Sequence, residues 1–183
     1  MRRALVGTSL AVILIAALAG APGASGQEAD ATMATLVNQS GAEVGTVVIA
    51  PSGSMLIVNV EARNLPAGFH GFHVHAVGQC QGDFTSAGGH ENPDGMVHSL
   101  HRGDMPSLLV NSDGTAAATF LIDRLTVAEL LDTDGSAIIV HADPDNFANI
   151  PSRYVAEPDM TTLTTGDAGA RIACGVLQPA RLP

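Results

Sequence analysis

Short apolar runs separated by turn residues follow one another along most of the chain. Val, Ile, Leu and Thr are concentrated in these runs, and the later half of 54–63 alternates apolar and polar positions, as a half-buried β-strand does. Gly-, Pro- and Ser-containing turns separate the first three runs. The pattern predicts eight strands, at 33–38, 43–50, 54–63, around His73-Val74-His75, and at 107–111, 116–122, 137–141 and 172–178.

Eight short strands without a long helix indicate an all-β fold, an eight-stranded Greek-key β-sandwich or flattened barrel. Only 126–131 is predicted as a helix, and Ser112-Asp113-Gly114 predicts a hairpin between the two strands beside it. Two long segments, 78–106 and 142–170, contain no strand-like run. Loops of this length are usually functional or disordered, so both are candidate sites of function.

The chain begins as secretory signal peptides do. Met1-Arg2-Arg3 is basic, 4–18 is largely apolar, and small residues follow up to Gly26. We expect 1–26 to be a cleaved signal peptide and 27–183 to be one exported domain without stable membrane insertion after cleavage. An uncleaved anchor is the alternative, although the apolar run is short of the roughly 20 residues that a membrane span needs.

Charge narrows the class of partner. Without the two arginines of the signal peptide, six arginines, no lysine and 18 acidic residues remain, which gives a formal charge of −12. A chain this acidic is a poor candidate for binding nucleic acid or an anionic membrane.

Histidines are concentrated in one stretch, because six of the seven lie between Phe69 and Asp104. In a strand, His73 and His75 point to the same side. A lone pair of this kind is more often a surface feature than a metal site. However, three more histidines and a carboxylate follow in a Gly- and Pro-rich loop that must be tied down: His90, His98, His101 and Asp104. These residue types bind zinc and copper, so the stretch predicts a metal site.

Several strings of this sequence resemble the secreted copper/zinc superoxide dismutases, in particular the bacterial form. They are FHGFHVH and a following Cys, SAGGHENP, HRGD, VHADPDNFANIP and TTGDAGARIACGV, in the same order and spanning about 32–179. The resemblance implies one copper and one zinc per subunit. It also implies an enzyme that converts superoxide anion to oxygen and hydrogen peroxide, which would protect the periplasm, cell envelope or surrounding medium.

The ligand sets follow from the same resemblance. Four nitrogens suit tetragonal Cu(II), and three nitrogens with one oxygen suit tetrahedral zinc. The copper set is His73, His75, His90 and His141, and the zinc set is His90, His98, His101 and Asp104. The resemblance alone implies that His90 bridges the two metals. The His98–His101 spacing is shorter than is common in the family, which predicts a trimmed zinc loop.

Four further positions receive roles. Arg171 and His90 are the expected catalytic residues. Arg171 is expected to bind and orient the anion, with a surface salt bridge as its alternative role. Asp145 is expected to accept hydrogen bonds from ligands of both metals, with a solvated acid as the alternative. His70 is expected to make a structural hydrogen bond under the site. Two cysteines in an exported protein suggest one disulfide, Cys80–Cys174, rather than two buried thiols, and the resemblance agrees.

Two other functions fit parts of the pattern. An exported copper-buffering protein would need the histidines but neither Arg171 nor a zinc site. A structural β-sandwich stapled by metals would have a copper site closed to added anions. The sequence leaves open whether the protein is a monomer or a homodimer.

Overall fold

The computed structural model describes residues 30–181, and the predicted signal peptide lies outside the described residues. The strands are β1 Ala31–Asn38, β2 Glu43–Ser52, β3 Met55–Ala62, β4 Gly68–His70, β5 Phe72–His75, β6 Leu108–Val110, β7 Ala116–Ile122, β8 Ala137–His141, β9 Arg171–Val176 and β10 Gln178–Ala180. Two short helices, α1 Val127–Leu130 and α2 Met160–Thr165, and a 3₁₀ turn at Thr85–Ala87 complete the elements. Within 30–181, no helix has the length and apolar character needed to cross a membrane.

Eight strands form one curled antiparallel sheet, which confirms the predicted all-β fold. Seven lie in the order β5-β8-β9-β1-β2-β3-β7, and β10 pairs with the start of β1. The small strands β4 and β6 form a separate two-stranded sheet. The strand β10 was not predicted, because Gln178-Pro179-Ala180 has no apolar alternation.

The predicted hairpin between β6 and β7 is wrong as a strand pairing. The turn itself forms, since the Asn111 N–H donates to the Thr115 carbonyl over 2.7 Å. Beyond the turn, β7 pairs with β3 from Leu56↔Ile122 to Ala62↔Ala116, and β6 pairs with β4. A turn sequence is a local signal and does not determine which strands pair beyond the turn.

The interior of the curled sheet is the main apolar core. Phe72 and Val74 lie in it, while His73 and His75 project from the opposite side of β5, and all four residues are buried. A strand buried on both sides places its alternate residues in two different environments. In β5 these environments are the core and the candidate site.

The sequence predicts one of the two helices and not the other. The predicted helix α1 is present and begins with a capping box, in which Thr126 and Glu129 satisfy each other's backbone N–H groups. The helix α2, Met-Thr-Thr-Leu-Thr-Thr, was not predicted, because threonine is a weak helix former. Its ends fix it instead, with Asp159 as N-cap and Gly166 in the left-handed conformation as C-cap.

The beginning of loop 78–106 is fastened to the outer side of β8 and β9. Phe84 and Ala87 pack there against a second apolar cluster that includes Ile139 and Cys174. The predicted disulfide Cys80–Cys174 is confirmed, with 5.8 Å between its Cα atoms. The loop is therefore joined covalently to β9.

We expect that replacing both cysteines by serine lowers thermal stability substantially. The bond closes a sequence separation of 94 residues, which corresponds to about 4–5 kcal/mol in the chain-entropy model. For a domain of this size the midpoint should fall by roughly 10 °C or more. Differential scanning calorimetry compares the variant with the disulfide-bonded wild-type protein. Reduced wild-type protein is the matched control, because it lacks the same bond. An unaltered midpoint would show that the bond contributes no stability.

Candidate metal centre

The loop 78–106 runs back along the outer edge of β5 and pairs with it. The Val74 N–H donates to the Gly103 carbonyl and the Glu91 N–H donates to the Val74 carbonyl, each over 2.9 Å. A Cβ at Gly103 would lie 2.3 Å from the Val74 carbonyl oxygen. Only glycine allows this approach of the two backbones.

This pairing sets the position of two loop residues relative to the strand. His90 lies opposite His75, and Asp104 lies opposite His73, each as an isolated antiparallel bridge. The backbone thus carries the two sequence-distant ligands to the side of β5 where His73 and His75 project.

His141 reaches the same place from β8. Its N–H donates to the Gly71 carbonyl over 2.8 Å, and the register of β8 against β9 shifts between Val140 and His141. The residue opposite His141 on β9 is Arg171. A fully buried apolar strand, 137–141, therefore delivers the histidine at its last position.

Two groups of candidate metal ligands result, and each has ligand atoms that all lie within 4.8 Å of one another. The first group is His73, His75, His90 and His141, and all four are buried. The second group is His73, His90, His98 and Asp104. The two groups share His73 and His90.

Two rings of the first group are oriented by backbone carbonyls. His75 Nδ1 donates to the Gly88 carbonyl over 3.0 Å, and His141 Nδ1 donates to the Gly169 carbonyl over 3.1 Å. The Nε2 atoms of the two rings lie 3.4 Å apart. Because each Nδ1 carries the proton, both Nε2 atoms offer a lone pair to a common neighbour.

Asp145 orients one ring of each group. It accepts hydrogen bonds from His73 Nε2 and His98 Nε2, both over 2.8 Å, and from the Phe147 N–H over 2.7 Å. Burial acts to raise the pKa of this carboxyl. The hydrogen bonds from the two histidines outweigh burial and hold the pKa well below its usual range.

Three buried ring nitrogens make no well-aligned hydrogen bond within residues 30–181: His73 Nδ1, His90 Nε2 and His98 Nδ1, the last of which lies 3.0 Å from Asp104 Oδ1. A buried polar atom without a partner costs about 1–3 kcal/mol. Three of them at one place are explained if each nitrogen binds a metal ion. The residues therefore fit a copper site and a zinc site side by side.

The second group is centred on one oxygen of Asp104. Its Oδ1 lies 2.9 Å from His90 Nδ1, 3.0 Å from His98 Nδ1 and 3.3 Å from His101 Nδ1. His101 Nδ1 is also 3.3 Å from His90 Nδ1. His101, predicted as a zinc ligand, therefore lies beside the second group. The second group itself contains His73 where the prediction has His101.

Burial and neighbouring carboxylates shift the pKa values of the site histidines in opposite directions. Burial lowers the pKa of His73 to about 4 and that of His141 to about 3, and it holds the pKa of His75 well below its usual value. Burial also acts to lower the pKa of His98, but the neighbouring carboxylates of Asp104 and Asp145 raise it to about 9. The rings of His73, His75 and His141 are consequently neutral at pH 7, as metal ligation requires.

His70 lies below the first group rather than in it. Its Nδ1 is 2.7 Å from the His141 carbonyl oxygen, and its Nε2 is 2.8 Å from the Pro66 carbonyl oxygen. The ring thus connects the corner before β4 to the end of β8.

The guanidinium of Arg171 donates to the carbonyls of Phe84 and Gly88. The Gly88 carbonyl also accepts from His75. Burial lowers the pKa of Arg171, and the charge of Asp83 opposes this. The side chain is therefore oriented by backbone carbonyls, and the surface salt bridge considered from the sequence is not what holds it.

Comparisons with known proteins agree with this site. The family model described as copper/zinc superoxide dismutase (SODC) matches residues 43–177. Superoxide dismutase [Cu-Zn] of Mycobacterium tuberculosis is 40% identical over 169 residues, which cover 81% of this chain and 70% of that protein.

Solved structures show the same fold. The Cu/Zn superoxide dismutase from Brucella abortus has a TM-score of 0.66 at 32% identity, covering 81% of this chain and 99% of that one. A SOD-like protein from Bacillus subtilis has a TM-score of 0.66 at 32% identity, covering 80% and 97%. Since the family model matches well over half of the sequence, this chain belongs to the copper/zinc superoxide dismutase family.

Proposed function

We propose that this protein converts superoxide to oxygen and hydrogen peroxide at a copper site joined to a zinc site through one histidine. The observation that carries the proposal is the convergence of buried, unpartnered imidazole nitrogens on two adjacent points. Fold alone would be weaker support, because one fold can carry several functions. Here the ligand groups of both metals are complete.

His73 through Nδ1, and His75, His90 and His141 through Nε2, would hold the copper. In three of these rings the other nitrogen donates to Asp145, Gly88 or Gly169. In the fourth, His90, the other nitrogen faces Asp104 over 2.9 Å. Four imidazole nitrogens suit tetragonal Cu(II).

Asp104 and three Nδ1 atoms, those of His90, His98 and His101, would hold the zinc. The alternative ligand, His73, has its Nε2 committed to Asp145, so a single lone pair remains on Nδ1. That lone pair cannot serve two metals. His90 has one nitrogen toward each group, and this supports His90 as the bridge.

When bound, copper supplies the one-electron chemistry, whereas zinc has no redox chemistry. The chain supplies the rest. Each pair of superoxide anions consumes two protons, and His90 Nε2 is the buried nitrogen suited to carry one of them. Arg171 attracts and orients the anion, since a guanidinium is a fixed fork of donors.

The contacts of Arg171 support this role. Its charge is among the causes that lower the pKa of both His75 and His141, so it acts on the copper ligands electrostatically. It must work at short range, because the exported domain has a formal charge of −12 and repels an anion at a distance.

The Cys80–Cys174 disulfide supports export, because such bonds persist in oxidising compartments. We place the protein in the periplasm, the cell envelope or the medium, after cleavage near Gly26. A homodimer is compatible with this function, and sedimentation velocity of the purified protein would measure the oligomeric state.

Metal content and activity of the same purified sample test the ligand assignment. We expect His101→Ala to lose zinc and keep copper. We expect His73→Ala to lose copper and dismutase activity but to keep zinc. His90→Ala should weaken both sites, because it removes a ligand from each. Inductively coupled plasma mass spectrometry with a superoxide-consumption assay gives both readouts. A His73→Ala variant that loses both metals, together with a zinc-replete His101→Ala variant, would move the bridge to His73.

We expect Gly166→Ala to release metal from both sites. Gly166 has φ +59°, and an added Cβ would lie 1.9 Å from Asp145 Oδ1 and 2.5 Å from His98 Nε2. The matched control is Gly53→Ala at φ +65°, where no described atom lies within 4 Å of the added Cβ. Both variants carry the left-handed backbone strain, about 1–2 kcal/mol. Only Gly166→Ala should lower metal content after dialysis, and equal metal content in the two variants would contradict the role of Asp145.

Charge reversal at Arg171 tests its short-range role. We expect Arg171→Glu to reduce the dismutation rate far more than Arg171→Ala, because it reverses the local field as well as removing the donors. The charge-matched control is Arg63→Glu, at an exposed arginine paired with Glu43. In the unsubstituted enzyme, added salt should depress the rate only weakly or raise it. Pulse radiolysis across ionic strength measures both effects, and a steep fall with salt would contradict the proposal.

A further inference from the structure

The tip of loop 78–106, defined as residues 92–102, has little apolar anchorage. Its large apolar side chains are about half exposed: Met96 45%, Val97 51% and Leu100 46%. Its two histidines, His98 and His101, are only 3% exposed. Polar contacts must therefore hold the tip in the position that buries these two rings.

One arginine outside the loop contacts the main chain of the tip. Arg124, between β7 and α1, donates from Nη1 to the Ser99 carbonyl over 3.2 Å and to the His101 carbonyl over 3.3 Å. The backbone N–H of His101 in turn donates to Asp104 Oδ2 over 3.0 Å. The backbone of His101 is thus held from both sides.

A second arginine links the tip to α1 through carboxylates. Arg102 binds Asp94 with two nitrogens, over 2.6 and 2.9 Å, and binds Glu129 Oε1 over 2.7 Å. The other oxygen of Glu129 accepts from the Thr126 N–H over 2.8 Å, which is the capping interaction of α1. The side chain that caps α1 therefore also contacts the tip.

We propose that Arg124 and Arg102 are positioning residues for the zinc ligands, and that the segment 124–129 exists to hold the loop tip against Asp104. The proposal rests on the zinc site proposed above. Arg124 acts on His101 through its carbonyl, and Arg102 restrains the tip as a whole. Among the described contacts, Arg124 acts through the main-chain carbonyls of Ser99 and His101, and Arg102 acts through the carboxylates of Asp94 and Glu129.

We call Arg124, Arg102 and the two carboxylates that Arg102 binds, Asp94 and Glu129, the clamp. The copper group does not depend on the clamp. His73, His75 and His141 come from strands β5 and β8. His90 is held beside β5 through its neighbours, because the Ala76 N–H donates to the Gly89 carbonyl over 3.0 Å. Loss of the clamp should therefore affect zinc before copper.

The clamp also contributes little to folding. The side chains of Arg102, Asp94 and Glu129 are 30%, 48% and 45% exposed, and exposed ion pairs have little effect on stability. Zinc retention and the stability of the metal-free protein should therefore separate in clamp variants. A merely structural arginine would alter both together.

The test uses Arg124→Ala, Arg124→Lys and Arg102→Ala in the full exported protein, with Arg63→Ala as the control. Arg63 is an exposed arginine that pairs with Glu43 over 3.0 Å. Zinc and copper transfer to a chromogenic chelator are timed separately. Co²⁺ is then bound in place of zinc, because its visible spectrum reports ligand geometry, and calorimetry gives the unfolding midpoint of the metal-free proteins.

We expect zinc transfer from Arg124→Ala to be about tenfold faster or more, in the range seen when groups supporting metal ligands are removed. Arg102→Ala should show a smaller acceleration, and Arg124→Lys should restore most of the retention, since an ammonium can still donate to the carbonyls. The Co²⁺ spectrum of Arg124→Ala should shift, while copper transfer and the metal-free midpoint stay at the values of Arg63→Ala.

Zinc transfer from Arg124→Ala at the rate of Arg63→Ala would overturn the inference. An equal acceleration for both metals together with a lowered metal-free midpoint would also overturn it, because the arginine would then support the whole fold. Unsubstituted protein that binds neither zinc nor Co²⁺ would instead overturn the proposed zinc site on which the inference rests.

Discussion

Both ligand groups depend on the hydrogen bonds that the buried carboxylate of Asp145 accepts. It accepts from His73 and from His98, and it thereby decides which nitrogen of each ring faces a metal. Gly166 leaves room for that carboxylate, and the same glycine ends α2. The long segment 142–170 is therefore built around the position of one buried acid.

The number of nearby carboxylates separates the two halves of the centre. His141 has carbonyl oxygens and other imidazoles around it, so burial dominates and its pKa falls. His98 has Asp104 and Asp145 within about 3 Å, and its pKa rises. Neutral imidazoles suit a redox-active copper, while an added carboxylate suits zinc, so the same residue type serves two metals through its surroundings.

The two halves also differ in how the fold supports them. Three copper ligands lie on strands whose other side is the apolar core, which gives them rigid positions. His98 and the proposed zinc ligand His101 lie on a loop tip with half-exposed apolar side chains. Hydrogen bonds with Asp104, with Arg124 and with α2, where the His98 N–H donates to the Leu163 carbonyl over 2.9 Å, hold this tip. Polar supports of this kind orient ligands without adding much stability.

The sequence by itself determined most of the strand pattern, the helix α1, the metal-binding character of the histidine-rich stretch and the disulfide. These are carried by side-chain type and local spacing. The resemblance to a known family added the ligand sets and the expectation that Asp145 faces both metals. Asp159 and Gly166 were cap signals for α2 that the weak helix propensity of threonine obscured.

Only the tertiary structure decided which strands pair, as with β6 on β4, and which groups meet across the chain. The carbonyls of Gly88 and Gly169 orient His75 and His141, yet every residue has a carbonyl, so no letter of the sequence distinguishes these two. Arg124 reads as an ordinary exposed arginine until the fold brings the backbone of His101 against it. Such contacts depend on register and chain path, which a local pattern does not contain.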